Sequence, residues 1–191
     1  MATATRNRGA KESAAPTITT SRNRGALDGN ETLRVTKNDL PVATRTEVVR
    51  LLNARLADAI DLQSLCKQAH WNVRGPQFIS LHKLFDDVYA AVGDYADLIA
   101  ERVAQLGGTA EGTARVAAQR STLNDYPLTL TRGNEHVAAL SDVLSQFGRA
   151  SRVAIEEMND LQDAGSADIF TEISRGIDKW LWFVEIHGAE S

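Results

Sequence analysis

Ile79-Ser-Leu-His82-Lys-Leu-Phe-Asp86-Asp-Val-Tyr-Ala-Ala-Val-Gly-Asp-Tyr-Ala-Asp97-Leu-Ile-Ala-Glu101-Arg-Val-Ala-Gln-Leu106 is the stretch on which the architecture turns. At ~100° per residue, Leu84, Phe85, Val88, Ala91, Val92, Tyr95, Leu98, Ile99, Val103 and Leu106 fall in one apolar stripe centred near Leu81. His82, Asp86, Asp97 and Glu101 fall at roughly 100°, 140°, 160° and 200° on the same wheel, away from that stripe. His82/Asp86 and Asp97/Glu101 are both spaced i, i+4, so each pair shares a face. All four are metal-ligand types, and His70 just upstream is a fifth. Fifteen residues separate His82 from Asp97, about 22 Å at the helical rise of ~1.5 Å per residue. A two-metal site needs its ions roughly 3.5–4 Å apart. One metal centre built from both pairs therefore requires two copies of the chain. Ala90, Gly93, Ala100 and Ala104 lie among these residues on the same outward face, small enough for another backbone to approach. A second copy packed antiparallel about a two-fold axis near Ala90–Gly93 would set His82/Asp86 against Asp97/Glu101 and make two identical sites.

The rest of the chain from about Thr44 also reads as helices. The first spans roughly 45–73, with Val48, Leu52, Leu56, Ala59 and Leu62 at helical spacing, and ends at Gly75-Pro76. The decisive helix runs from about Ile79 to Leu106 and stops at Gly107-Gly108. Residues 109–133 form a long connection with a short helix near 114–120. A third long helix spans about 134–162, through Val137, Leu140, Leu144, Phe147, Ala154, Met158 and Leu161. A fourth starts at Ser166 as its N-cap and continues through Ile169, Ile173, Ile177, Trp180 and Val184. There is no strand pattern. Four long amphipathic helices with one extended middle connection describe an all-α, ferritin-like four-helix bundle over 44–191.

Residues 1–43 differ in kind. Residues 1–37 hold seven basic residues (Arg6, Arg8, Lys11, Arg22, Arg24, Arg34, Lys37) against Glu12, Asp28 and Glu31, a net +4. With the whole chain at −4, the remainder carries −8. The segment lacks helical periodicity and is rich in Ala, Thr, Ser, Asn and Gly, which predicts a disordered basic arm on an acidic domain. A single cysteine, Cys66, excludes an intrachain disulfide framework and suits a reducing compartment. No apolar run approaches the ~18 residues of a membrane span, and no secretory h-region is present. The arm's acid-poor composition leaves an organelle transit peptide open as an alternative.

The run Lys67-Gln-Ala-His70-Trp71-Asn72-Val-Arg-Gly75, then Phe78-Ile-Ser-Leu-His82-Lys-Leu-Phe-Asp86, Asp97-Leu-Ile-Ala-Glu101-Arg102 and Leu106-Gly-Gly108 resembles the Dps family of small ferritins. Tyr126-Pro-Leu, Ser166-Ala-Asp-Ile169 and Asp178-Lys-Trp-Leu-Trp-Phe183 extend the likeness, which covers roughly 45–187. The resemblance implies a dodecameric shell with ferroxidase centres between subunits, built here from His70, His82, Asp86, Asp97 and Glu101. It implies oxidation of Fe2+, preferably by H2O2, storage of the ferric product, and protection of DNA from oxidative damage in the bacterial cytoplasm or nucleoid. Imidazole and carboxylate donors alone fit iron, zinc, manganese or cobalt, and iron rests on the resemblance. The resemblance also points to Asp168, with Asp163 and Glu172 as weaker candidates, at a pore for entering metal. Against this, Asp in the first turn of a helix is favoured by the macrodipole alone. Some members of the family bind DNA through basic N-terminal tails, so the arm is either a DNA-contacting tail or a solubilising or assembly arm.

Trp71, beside His70, is read either as an apolar residue packed at a helix end or as an oxidisable side chain that absorbs stray radical equivalents. Trp180 and Trp182 are read as packing residues. His136 and His187 are read as ordinary, partly exposed polar residues.

Overall fold

The computed structural model describes Met1 and residues 33–188. Apart from Met1 and residues 33–43, the expected arm lies outside the described residues. Five helices follow in order: α1 (Val42–Asn72), α2 (Phe78–Gln105), α3 (Ala114–Arg120), α4 (Gly133–Asp160) and α5 (Ala164–Glu185). Among the described residues there is no strand, only an isolated bridge between Arg74 and Arg132. None of the helices is long and apolar enough to cross a membrane among the described residues.

α1 and α2 form one helical hairpin and α4 and α5 another; α1 also packs on α4, and α2 on α5. The connection between α2 and α4 carries α3 across α1. Leu52, Leu56 and Leu62 of α1, Phe85 and Ile99 of α2, Leu140, Leu144 and Phe147 of α4 and Phe170 of α5 are buried in a single core. On α2 the residues shielded from water are Leu81, Phe85, Val88, Val92, Ala96, Ile99 and Val103, so the expected stripe does face the core.

Polar side chains on α1 hold the long connection in place. Asn53 donates to the Thr109 carbonyl and accepts from the Glu111 amide, both at 3.0 Å. Asp58, fully buried, accepts from the Thr122 amide at 2.7 Å and pairs with Arg55. These bonds replace backbone pairing that an irregular segment cannot supply for itself. Gly107 closes α2 with φ +90° in the left-handed region, and a Cβ there would meet the Arg34 carbonyl oxygen at 2.7 Å. Arg34 donates to the carbonyls of Ala104 and Gly108, while Leu33 and Leu40 pack on the core. The segment just before α1 is thus tied to the end of α2.

Helix limits differ from the sequence reading mainly at two starts. α1 begins at Val42, directly after Pro41. α5 begins at Ala164, and its N-cap is Asp163, which accepts from the Ser166 amide at 3.1 Å. Ser166 is therefore inside the first turn rather than capping it. Asp163 is buried, paired with Arg102 Nη2 at 2.7 Å and bonded to the Ser166 hydroxyl at 2.5 Å. Both of its oxygens are thus engaged within the chain.

Candidate metal centre

α1 ends and α2 begins around a short turn, which brings His70 and His82 face to face. Their rings stack with centroids 3.7 Å apart and 23° between planes. Each Nδ1 donates to the other residue's backbone carbonyl, His70 to His82 at 2.8 Å and His82 to His70 at 2.9 Å. This reciprocal pairing places the neutral ring's proton on Nδ1 and leaves the Nε2 lone pair for a ligand. Phe78 lies against His82, ring centroids 5.0 Å apart.

Asp86 stands one turn beyond His82, with Oδ1 3.9 Å from His70 Nδ1. Lys67, three residues before His70 on α1, forms an ion pair with Asp86 and lies over the Tyr89 ring. That bond holds the Asp86 carboxyl below its usual pKa. Lys67 was not singled out from sequence, although its i, i+3 spacing to His70 already put it on the ligand face.

Asp97 and Glu101 are exposed toward the other end of α2. Among the described residues, no three His, Cys, Asp or Glu side chains come together in a way that could hold one ion. A single chain thus assembles a histidine end, with Asp86, and keeps the second carboxylate pair apart on the same rod. The donors themselves suit a divalent ion: neutral imidazole nitrogens with fixed tautomers, plus hard carboxylates.

The small-residue outward face of α2 is only partly as expected. Ala90 and Ala104 are exposed, but a Cβ on Gly93 would collide with the Gln63 side chain of α1. The close approach at Gly93 is therefore within the chain. Trp71 is 68% exposed, so its packing is not supplied by its own chain. Trp182 is likewise exposed, at 61%, and within its own chain meets Phe183 edge-on, ring centroids 5.0 Å apart. Trp180 is partly buried and meets Phe183 edge-on. Asp168 is exposed in α5, while His136 is 1% exposed rather than a surface residue. Its i, i+4 spacing to Leu140 on the apolar stripe was the missed signal.

Residues 49–189 match the ferritin-like domain. Over 155 residues the chain is 43% identical to the DNA protection during starvation protein of Agrobacterium fabrum, spanning 81% of this chain and 96% of that relative. This chain belongs to the Dps family. The Mycobacterium smegmatis Dps in its tetragonal form shares 32% identity with a TM-score of 0.77, covering 84% of this chain and 96% of that one. DpsC from Streptomyces coelicolor reaches a TM-score of 0.80 at 28% identity, covering 84% and 94%. A ferritin-like Dps fold is what the motif string around His70, His82 and Glu101 implied.

Proposed function

We propose that this Dps-family chain is a ferroxidase that assembles as a shell of twelve, oxidises Fe2+ at centres shared between two subunits and stores the ferric product. The observation that carries this reading is the division of the donors: His70, His82 and Asp86 at one end of α2, Asp97 and Glu101 at the other. A partner antiparallel about a two-fold axis brings the acid end of one α2 to the histidine end of the other. The Nε2 atoms of His70 and His82 then face the partner's carboxylates across the space where iron is received. Asp86 exchanges its bond to Lys67 for the ion. Two Fe2+ supply the two electrons that reduce H2O2 to water, so no hydroxyl radical is released. DNA protection follows from removing both reactants. Zinc or manganese would occupy the same donors. Asp168 is proposed at the entry route, and cytoplasmic localisation accords with the buried, unpaired Cys66.

The test mixes two inactive chains. His82→Ala lacks the histidine half and Glu101→Ala the acid half. In shells reassembled from equal amounts of both, about a quarter of the centres draw both intact halves. Ferrous oxidation should recover accordingly. No recovery in verified mixed shells would place the centre within one subunit.

The charge contrast between residues 1–37 and the rest favours a second activity, DNA contact through the arm. Arg34 contributes least, because its guanidinium is committed to the end of α2.

A further inference from the structure

At the end of the bundle where α1 passes into α2 there is a cleft of about 530 Å³, walled by the turn from Arg74 to Gln77 and by Arg132, Gly133 and Asn134 at the start of α4. None of these residues enters the metal chemistry above. The backbone joins the two walls. The Arg74 amide donates to the Thr131 carbonyl at 2.8 Å, and Arg74 pairs with Arg132 in the isolated parallel bridge. Residues directly opposite in such a bridge send their side chains to the same side, from backbones ~4.8 Å apart. The bridge therefore sets two guanidinium groups next to each other at the cleft.

A single exposed arginine ordinarily marks nothing more than solvated surface. A pair held directly opposite is different, because like charges so placed destabilise the pairing that holds them. Elsewhere the chain finds partners for such groups: Arg45, Arg102, Arg120 and Arg152 each meet a carbonyl or a carboxylate. Arg74 and Arg132 are exposed, and among the described residues their side chains make no ion pair or hydrogen bond. Glu135, the acid beside them in sequence, is turned back onto the backbone, its Oε2 accepting the Thr131 and Arg132 amides at 3.2 and 3.0 Å. Those two bonds, more than the nearby Arg132 charge, hold its carboxyl below the usual pKa. Gly133 and Asn134 add donors, since the first amides of a helix have no partner within it. A Cβ on Gly133 would stand 2.7 Å from the Leu81 side chain, so the glycine is what lets this wall close against α2.

We propose that this cleft binds a phosphate dianion, either orthophosphate or the terminal group of a phosphomonoester, between the guanidiniums of Arg74 and Arg132. Guanidinium forks donate to phosphate oxygens in pairs. Two positive charges match two negative ones. Donors from Arg74, from Arg132 and from the α4 amides of Gly133 and Asn134 match three terminal oxygens. A phosphodiester offers one charge and two free oxygens, so a nucleic-acid backbone satisfies the same donors less fully. The site sits on the turn between the helix of His70 and the helix of His82. Its binding needs no metal, so it stands or falls separately from the ferroxidase reading.

The test uses the assembled, full-length, metal-free protein. Titration calorimetry with sodium phosphate, at neutral pH and constant ionic strength, should show one saturable site per subunit. Arg74→Gln and Arg132→Gln should each weaken binding about tenfold, the loss of one charge-assisted donor group, and the double variant should abolish it. Arg149→Gln removes an exposed arginine outside the cleft and should change nothing. Dimethyl phosphate, a diester, should bind about tenfold more weakly than orthophosphate. Arsenate soaked into crystals of the unaltered protein should place anomalous density between the two guanidiniums, a readout that needs no variant to fold. Binding that survives in the double variant, that falls equally in Arg149→Gln, or that leaves the cleft without density overturns the proposal in favour of diffuse surface association. No binding at all also overturns it, and assigns the arginine pair to an acidic group of a neighbouring subunit. Dimethyl phosphate binding as tightly as orthophosphate overturns the choice of ligand and assigns the cleft to a nucleic-acid backbone.

Discussion

Asp163→Ala is the substitution whose effect can be worked most fully from the structure. The carboxylate caps α5 through the Ser166 amide, accepts the Ser166 hydroxyl and pairs with Arg102. Losing an N-cap of this type costs ~1 kcal/mol. Removing one partner of a buried ion pair costs about 3–5 kcal/mol, because the other charge stays uncompensated. Arg102 keeps 14% of its side chain exposed, so water offsets part of that loss and the lower end applies. Since one carboxylate makes all three bonds, the contributions overlap, and the expected destabilisation is about 3–4 kcal/mol. The assay is urea unfolding at fixed protein concentration, because subunit association adds to apparent stability. Asp163→Asn, which keeps the capping oxygen, should lose less. Replacing both partners together, as Arg102→Leu/Asp163→Leu, should cost less than removing Asp163 alone, since no orphan charge remains. A loss below ~0.5 kcal/mol, the range of ordinary surface changes, would refute the reasoning. A double variant less stable than the single would do the same.

His136 gives a pH dependence with a definite sign. Its folded pKa is depressed below the ordinary 6.5, so the unfolded chain binds the proton first as pH falls. Its stabilising contribution is complete above that ordinary value and is lost as pH drops toward the folded one; unfolding curves of His136→Gln should lack this part of the slope. Gly93→Ala should leave the shell assembled and be neutral to slightly stabilising in thermal unfolding. The flexible Gln63 end can swing aside, and helix propensity gains up to ~1 kcal/mol. Deleting residues 1–32 should leave ferrous oxidation unchanged while reducing salt-sensitive DNA retardation. Deleting 1–37 should also lower stability by about 1 kcal/mol, because Arg34 and its bonds to Ala104 and Gly108 are lost.

The long helices were legible because the apolar stripe of α2 and its terminating glycines speak for themselves. The separation of Asp97/Glu101 from His82/Asp86 was equally legible, since it needs only the helical rise. What could not be read was the pairing of polar groups across elements. Nothing local in the sequence announces that the His70 and His82 rings bond each other's carbonyls, or that Lys67 reaches Asp86 on the next helix. Ser166 looked like a cap because serine followed by an apolar run is a common helix start. Asp163 won the position by also meeting Arg102. His136 was misplaced because histidine is so often a surface residue, whereas Tyr126 gives it a partner that makes burial tolerable. Exposure at Trp71 and Trp182 depends on what covers a face, which one chain's sequence does not state.

The straight run of α2 between the two donor pairs also orders events in the life of the molecule. On the proposed reading, a newly made subunit carries a histidine half-centre preformed by its own backbone and an acid half facing elsewhere. A ferrous ion meeting such a subunit finds no second set of carboxylates to favour the ferric state. Oxidation then begins only once two chains have docked, when a surface exists to collect the product. The subunit is harmless until it has company, and iron turnover in dilute solution becomes a measure of association rather than of folding.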